Sequence, residues 1–307
     1  MMAESKTEAT TEGGLMSNIT SRRRGARSES MTAIDWTTDA KGVGHYADVN
    51  SLHLYYETHG EGRPLILLHG GLGSGEMFGP VIPALAAGHQ VIAVDLQGHG
   101  RTADIDRPID VRLMADDIAA LIRKLGLEQA DVVGYSLGGG VAFHTAVKYP
   151  ELVRRLVMVS TNIRRSAIYP EMLVQQGQVR ADTAEFMTDT PMYQLYKRVA
   201  PRPEDFGRLL DKIGASMAHD FDFTEDVRSL QMPTLFACAD ADMFAPSHAV
   251  EVFALLDGGQ RDGGWMGEGR PEGGHALAIL PGLTHYNIFG SPLFAAVTLA
   301  FLDEQAG

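Results

Sequence analysis

The sequence predicts an α/β fold: a mostly parallel, doubly wound sheet with a helical segment inserted after the sixth strand. Three observations predict it. Short apolar runs recur and end in glycine, as in "PLILLHGG" (64–71). Stretches with helical spacing alternate with these runs, the order that builds strand–helix–strand units with right-handed crossovers. The alternation stops between residues 161 and 229, where helical spacing continues without a buried strand.

Residues 1–42 precede the pattern. They are rich in Ser, Thr, Glu and Arg without periodicity, which predicts a disordered tail. The run "SRRRGA" is followed by no apolar stretch and so does not read as a twin-arginine leader. "VGHYADV" and "LHLYYETHG" then read as a hairpin turning at Asn50 and Ser51. "PLILLHGG" and "QVIAVDLQGHG" (90–100) are apolar without alternation, as strands of a parallel sheet covered on both faces are. In "VRLMADDIAALIRKLG" (111–126) the apolar positions 113, 114, 118, 121, 122 and 125 give a helix ending at Gly126. "ADVVGYS" is a strand, "LGGGVAFHTAVKYP" a helix stopped by Pro150, and "RRLVMVS" (154–160) the sixth strand.

In the segment 161–229, "PMYQLYKRV" puts Met192, Leu195, Tyr196 and Val199 on one face, and "EDFGRLLDKIGASMAH" does so with Phe206, Leu209, Leu210, Ile213 and Met217. These read as the helices of a cap. The sheet resumes with "MPTLFACADAD" (232–242), a helix at 247–256, a strand "HALAILPG" (275–282) and a helix at 292–303; the glycine-rich stretch 257–274 reads as a flexible loop. The expected organisation is a tail (1–42), a core (43–160 and 230–307) and a helical cap or lid (161–229).

The chain has 307 residues and a formal net charge of −13, with six basic and six acidic residues in 1–44, so the excess belongs to the folded part. An acidic body argues against nucleic acid and anionic membrane surfaces as partners. No run approaches the roughly 18 apolar residues of a membrane span. The single cysteine, Cys238, excludes an internal disulfide framework and fits a reducing, cytoplasmic setting. With no H-E-x-x-H or Cys/His cluster, neither a metal nor another cofactor is expected. Nothing in the sequence sets the oligomeric state.

"GYSLG" (134–138) lies between a buried strand and a helix and matches G-x-S-x-G, the nucleophile elbow. A sharp strand-to-helix turn holds Ser136 in a strained conformation and lifts its hydroxyl off the sheet edge. Side chains two residues away would collide, hence Gly134 and Gly138. The bland alternative is a glycine-rich turn whose serine caps the helix. An acid and then a histidine should follow. Asp240 and Asp242 end the strand "FACADAD", on the side where ligands meet open α/β sheets, and Asp242 is favoured; the alternative for either is a carboxylate capping the next helix. His285, after the last strand, could take the serine proton while a buried carboxylate fixes its tautomer. His275 lies at the wrong end of that strand and His248 inside a helix. For the oxyanion, the expected donors are the N–H of Leu137, after the nucleophile, and that of Gly71 in "HGGLGSG" (69–75).

With these residues placed, the chain resembles the α/β-hydrolase superfamily, in its esterase, haloperoxidase-like and C–C-bond hydrolase branch. "LLHGG", "VIAVDLQGHGRT", "VVGYSLGG", "YPELVRRLVMVS", "DADMFAP" and "LPGLTHYNIF" carry the resemblance over about residues 45–160 and 230–304. It implies Ser136, Asp242 and His285 as a triad, Gly71 and Leu137 as oxyanion donors and 161–229 as the cap. Where relatives often read "PGxGH", this chain has "PGLTH", and its acid-to-histidine interval is stretched by the glycine-rich loop. Serine at the elbow sets it apart from the dehalogenase and epoxide hydrolase branches, which use aspartate there.

Two other classes compete. "LILLHGGLGSG" followed by Asp95 imitates a dinucleotide site, but Glu76 stands where G-x-G-x-x-G needs its third glycine. A receptor on the same fold would bind small molecules without turnover. The expected activity is hydrolysis of a small carboxylic ester through an acyl-enzyme; lactone, C–C-bond and perhydrolase chemistry use nearly the same residues. The seven aromatics and four methionines of 161–229 suggest an adaptable apolar pocket.

Overall fold

The computed structural model describes residues 42–267 and 273–304. The expected tail, apart from Gly42, lies outside the described residues, as does part of the glycine-rich loop.

Strands β1 (Val43–Val49) and β2 (Leu52–His59) form the hairpin. Asn50 (φ 46°) and Ser51 (φ 69°) both adopt positive φ, the two-residue turn whose twist suits paired strands. The other strands are β3 (Arg63–Leu68), β4 (His89–Val94), β5 (Ala130–Tyr135), β6 (Val153–Val159), β7 (Thr234–Ala241) and β8 (Ala276–Thr284). The helices are α1 (Ile82–Leu85), α2 (Val111–Lys124), α3 (Leu137–Lys148), α4 (Pro170–Gln176), α5 (Pro191–Val199), α6 (Phe206–Ala218), α7 (Thr224–Arg228), α8 (Pro246–Leu255) and α9 (Pro292–Leu302).

The eight strands lie in the order β1-β2-β4-β3-β5-β6-β7-β8. β2 is antiparallel to β1 and β4, and every pairing from β4 to β8 is parallel. The continuous apolar runs are explained by β3. Leu65 and Leu67 pack against α1 and α9 on one face, and Ile66 and Leu68 against α2 and α3 on the other, all at 0% exposure. Each such side chain contributes about 1.5–3 kcal/mol on leaving water.

The chain leaves β3 toward β4 on one side and returns through β5 on the other. The crevice between the ends of β3 and β5 is therefore the topological switch point, where open α/β sheets take ligands. Leu68 is paired with Gly134, so the loop after β3 starts level with the turn after β5.

Between β6 and β7 the described elements are helical. Of the residues expected to face inward on α6, Phe206, Leu209, Leu210 and Ile213 are buried and Met217 is half-buried; on α5, Leu195 and Tyr196 are buried and Met192 and Val199 half-buried. Basic residues of this segment meet acidic residues of the core. Lys212 reaches Asp104 at 2.6 Å, Arg208 the same carboxylate at 2.9 Å, and Arg198 reaches Glu76 at 2.7 Å.

β8 runs two residues beyond its sequence-based end and is irregular. Its register slips between Ala239↔Leu280 and Ala241↔Thr284. The carboxylate of Asp240 causes this, accepting the N–H groups of Gly282 (3.0 Å) and Leu283 (3.2 Å). Asp240 is therefore not a helix cap; α8 has Ala245 at its N-cap position, with no side-chain cap bond.

Candidate active site

The turn after β5 places Ser136 at φ 53°, ψ −116°, a conformation that costs a side-chain-bearing residue about 1–3 kcal/mol. Backbone bonds on three sides hold it. Ser136 N–H donates to Val159 O (2.9 Å), Gly138 N–H to His69 O (3.0 Å) and Gly140 N–H to Ser136 O (3.1 Å). The Ser136 side chain makes no cap bond to α3, which removes the helix-capping alternative.

The glycines are required by contact. A Cβ on Gly134 would sit 2.1 Å from Gly138 O, and one on Gly138 would sit 2.4 Å from Leu68 O and 2.5 Å from His69 O. These obstacles are backbone atoms of α3, of β3 and of the loop after β3, and cannot swing away as a side chain could. Gly138→Ala is expected to lower the thermal midpoint by about 10 °C or more, or to abolish soluble expression, as read by calorimetry. A midpoint within about 2 °C of the parent would mean the turn is looser than its contacts imply.

His285 follows β8 and turns inward. Its Nε2 lies 3.1 Å from Ser136 Oγ, and its Nδ1 lies 2.8 Å from Asp242 Oδ1. The Asp242 side chain is fully buried and that of His285 nearly so. Burial pushes the Asp242 carboxyl up, but hydrogen bonds from His285, Ser160 and the Met243 N–H outweigh it and hold the group below the usual carboxylate value. Oδ1 also accepts the Met243 N–H (2.8 Å), and Oδ2 accepts the Ser160 hydroxyl and the Ala239 N–H (3.1 Å). Every lone-pair direction is thus used, and the carboxylate cannot rotate away from the ring.

Ser160 escaped the sequence reading, which took it only as a strand end. It follows β6 directly, at φ 48°, and reaches across to the residue after β7. A serine at a strand tip becomes a signal only once β6 is known to lie between β5 and β7. Tyr135 also escaped; its hydroxyl donates to His285 O at 2.5 Å. His248 bonds Ile163 N–H and Glu251, and His275 is at the opposite end of β8 from His285.

The loop after β3 is folded by its own histidine. His69 Nε2 accepts the Leu96 N–H (3.0 Å), so Nδ1 carries the proton and donates to Gly70 O (2.7 Å). A turn closed by Gly73 N–H to Gly70 O, with Leu72 at φ 61°, then presents Gly71. Among the described residues, neither the Gly71 N–H nor the Leu137 N–H has an acceptor. Both loops end at the same sheet edge. Ile213 of α6 closes over Gly71, within 3.8 Å of where a Cβ would stand.

His69 makes this site acid-sensitive. Burial, then the nearby His99, pushes its imidazole down to about 3. Burial also pushes His99 and His144 down to about 4. These rings stay neutral in the fold, while the unfolded chain takes up protons below about 6.5. Each therefore removes about 1.4 kcal/mol of stability per pH unit as pH falls through that window. Asp95 opposes them: burial pushes its carboxyl up to about 6, so it gains a proton in the fold below that pH. Three histidines outweigh one carboxyl. Urea unfolding at pH 5 should show a stability on the order of a few kcal/mol below that at pH 7; an equal or higher midpoint at pH 5 would contradict this.

Among the described residues, no group of three His, Cys, Asp or Glu side chains is placed to hold a metal ion, and no helix is long and apolar enough to cross a membrane.

Comparison with known proteins supplies the family. Residues 63–190 match the family described as alpha/beta hydrolase fold. Over 227 residues, 68% of this chain and 84% of the relative, the sequence is 32% identical to a protein of Azorhizobium caulinodans assigned as the carbamate hydrolase RutD. The chain belongs to the α/β-hydrolase fold family. This α/β hydrolase is also 27% identical over 258 residues to a non-heme haloperoxidase of Rhodococcus erythropolis, covering 76% of the chain and 89% of the relative. Carboxylesterase CesB from Bacillus subtilis superposes with a TM-score of 0.65 at 20% identity, over 86% of this chain and 93% of that one, which shows the shared fold. The fold class expected from the sequence is that of this family.

Proposed function

We propose that this α/β hydrolase cleaves a small carboxylic ester, with Ser136 as nucleophile, His285 as general base and acid, and Asp242 orienting the histidine. The observation that carries the reading is one imidazole bonded at its two nitrogens to Ser136 Oγ (3.1 Å) and to a buried carboxylate (2.8 Å). In this reading, Oγ attacks the ester carbonyl as its proton passes to Nε2. The oxyanion is met by the N–H groups of Gly71 and Leu137 at the start of α3. His285 then protonates the leaving alcohol, and the acyl group stays on Ser136. Water attacks this acyl-enzyme, with His285 again taking the proton, and the acid is released.

The segment 161–229 is assigned as a cap over the crevice, and the small-molecule ester as the partner. Ile213 above Gly71 and the ion pairs of Arg198, Arg208 and Lys212 to the core support this. A carbamate is the second reading. The relative assigned as a carbamate hydrolase favours it, and the same residues would serve.

The test is hydrolysis of p-nitrophenyl esters of increasing acyl length beside the matching carbamates. Turnover of short esters at a higher kcat/KM than the carbamates supports the proposal, and the reverse order supports the second reading. Tight binding of an ester without turnover would make the chain a receptor.

A further inference from the structure

The sheet order sets a problem for the proposed reaction. Ser136 follows β5 in the middle of the sheet, and His285 follows β8 at its edge. β6 and β7 lie between them, so the two strands are about 14 Å apart at the usual spacing of about 4.8 Å. β8 is mostly half-exposed or exposed, a poor platform for a group that must stay within hydrogen-bond reach of Oγ. Asp242, after β7, holds the ring from one side. Something has to hold the backbone.

The geometry points to Tyr135 as the positioning residue for His285, its hydroxyl tethering the His285 carbonyl to the strand that carries the nucleophile. This inference rests on the proposed serine mechanism. Tyr135 is the last residue of β5, and its side chain enters the layer shared with Phe289 and α9. From there Oη donates to His285 O at 2.5 Å across 150 residues of sequence. Its ring centroid lies 5.2 Å from that of His285 and 5.0 Å from that of Phe289. The same ring presses on the loop that presents Gly71, since a Cβ on Gly70 would fall 2.6 Å from Tyr135 Cε1. One side chain thus joins the elbow by the chain itself, the oxyanion loop by contact and the histidine loop by a hydrogen bond. Burial and then the charge of Asp242 hold the phenol well above its ordinary value, so it stays a donor at neutral and mildly alkaline pH.

Tyr135→Phe keeps the ring and removes only the donor. With p-nitrophenyl acetate, kcat should fall about 10-fold while KM stays within about two-fold. The same substitution in a His285→Ala background should cost nothing further, because the tether then has no imidazole to place. An unchanged kcat in Tyr135→Phe overturns the inference. So does an equal fractional loss with and without His285, which is what a merely structural role gives. Should the phenylalanine variant lose its fold, 4-aminophenylalanine and 4-methylphenylalanine at position 135 replace it. These match in shape, and only the first donates. The amino variant should exceed the methyl variant about 10-fold in kcat, and equality overturns the inference. The underlying mechanism is judged separately. If Ser136→Ala retains full turnover, the serine reaction itself is wrong. If Ser136→Ala is inactive and Tyr135→Phe matches the parent, only the role of Tyr135 falls.

Discussion

Replacing Ser136 with alanine is expected to lower ester turnover by about 10⁴-fold or more and to leave the fold intact. Alanine keeps the Cβ, so the positive-φ turn carries about the same strain as before. The side chain makes no cap bond to α3, so α3 loses nothing. What disappears is the oxygen that would attack, together with its 3.1 Å contact to His285. Residual activity would come from the N–H groups of Gly71 and Leu137 acting on a water attack. Steady-state kinetics beside a thermal melt checks both halves. A variant that melts like the parent and retains more than about a tenth of its kcat would mean that Ser136 is not the nucleophile.

Asp242→Asn should cost about 10⁴-fold in kcat with little change in KM. The carboxylate accepts from four donors: His285 Nδ1–H and Met243 N–H on one oxygen, Ser160 O–H and Ala239 N–H on the other. An amide offers one oxygen and one NH₂. If the NH₂ faces His285, it also opposes the Met243 N–H, and Nδ1 must become the acceptor and Nε2 the donor, which leaves no base for Ser136. If it faces the other way, it opposes the Ala239 N–H. The Ser160 hydroxyl can rotate to accept, but the amide hydrogen cannot. Each outcome opposes one backbone N–H, and only the first abolishes proton transfer. Kinetics separates them. A loss under 10-fold would show that the acid does not set the tautomer of His285.

Much of the fold was legible because the physics that forms it is local. Strands such as β3 are apolar at every position since both faces are covered, and α6 shows one buried stripe in the predicted register. The elbow was legible for a different reason. Gly134 answers a clash with Gly138 O four residues on; Gly138 answers one with the backbone of Leu68 and His69, but it stands in the same five-residue motif. Asp240 and Asp242 were harder to tell apart, since both end the same strand. They separate only because Asp240 turns to the N–H groups of Gly282 and Leu283, about 40 residues on, and so makes the bulge from which His285 departs. Ser160 and Tyr135 left no usable pattern. Their partners lie 82 and 150 residues away, and a serine or tyrosine at a strand end is unremarkable until the sheet order is known. Of the short helices, α1, α4 and α7 lack a sequence long enough to show periodicity.

The central claim is that Ser136 is activated as a nucleophile by His285. Its most direct measurement is mass spectrometry of the folded protein after brief exposure to a fluorophosphonate, with peptide mapping. A single adduct is expected, on the peptide containing Ser136, absent from heat-denatured protein and from Ser136→Ala, and formed far more slowly in His285→Ala. An adduct on another residue, or none on a protein that turns over esters, would contradict the claim.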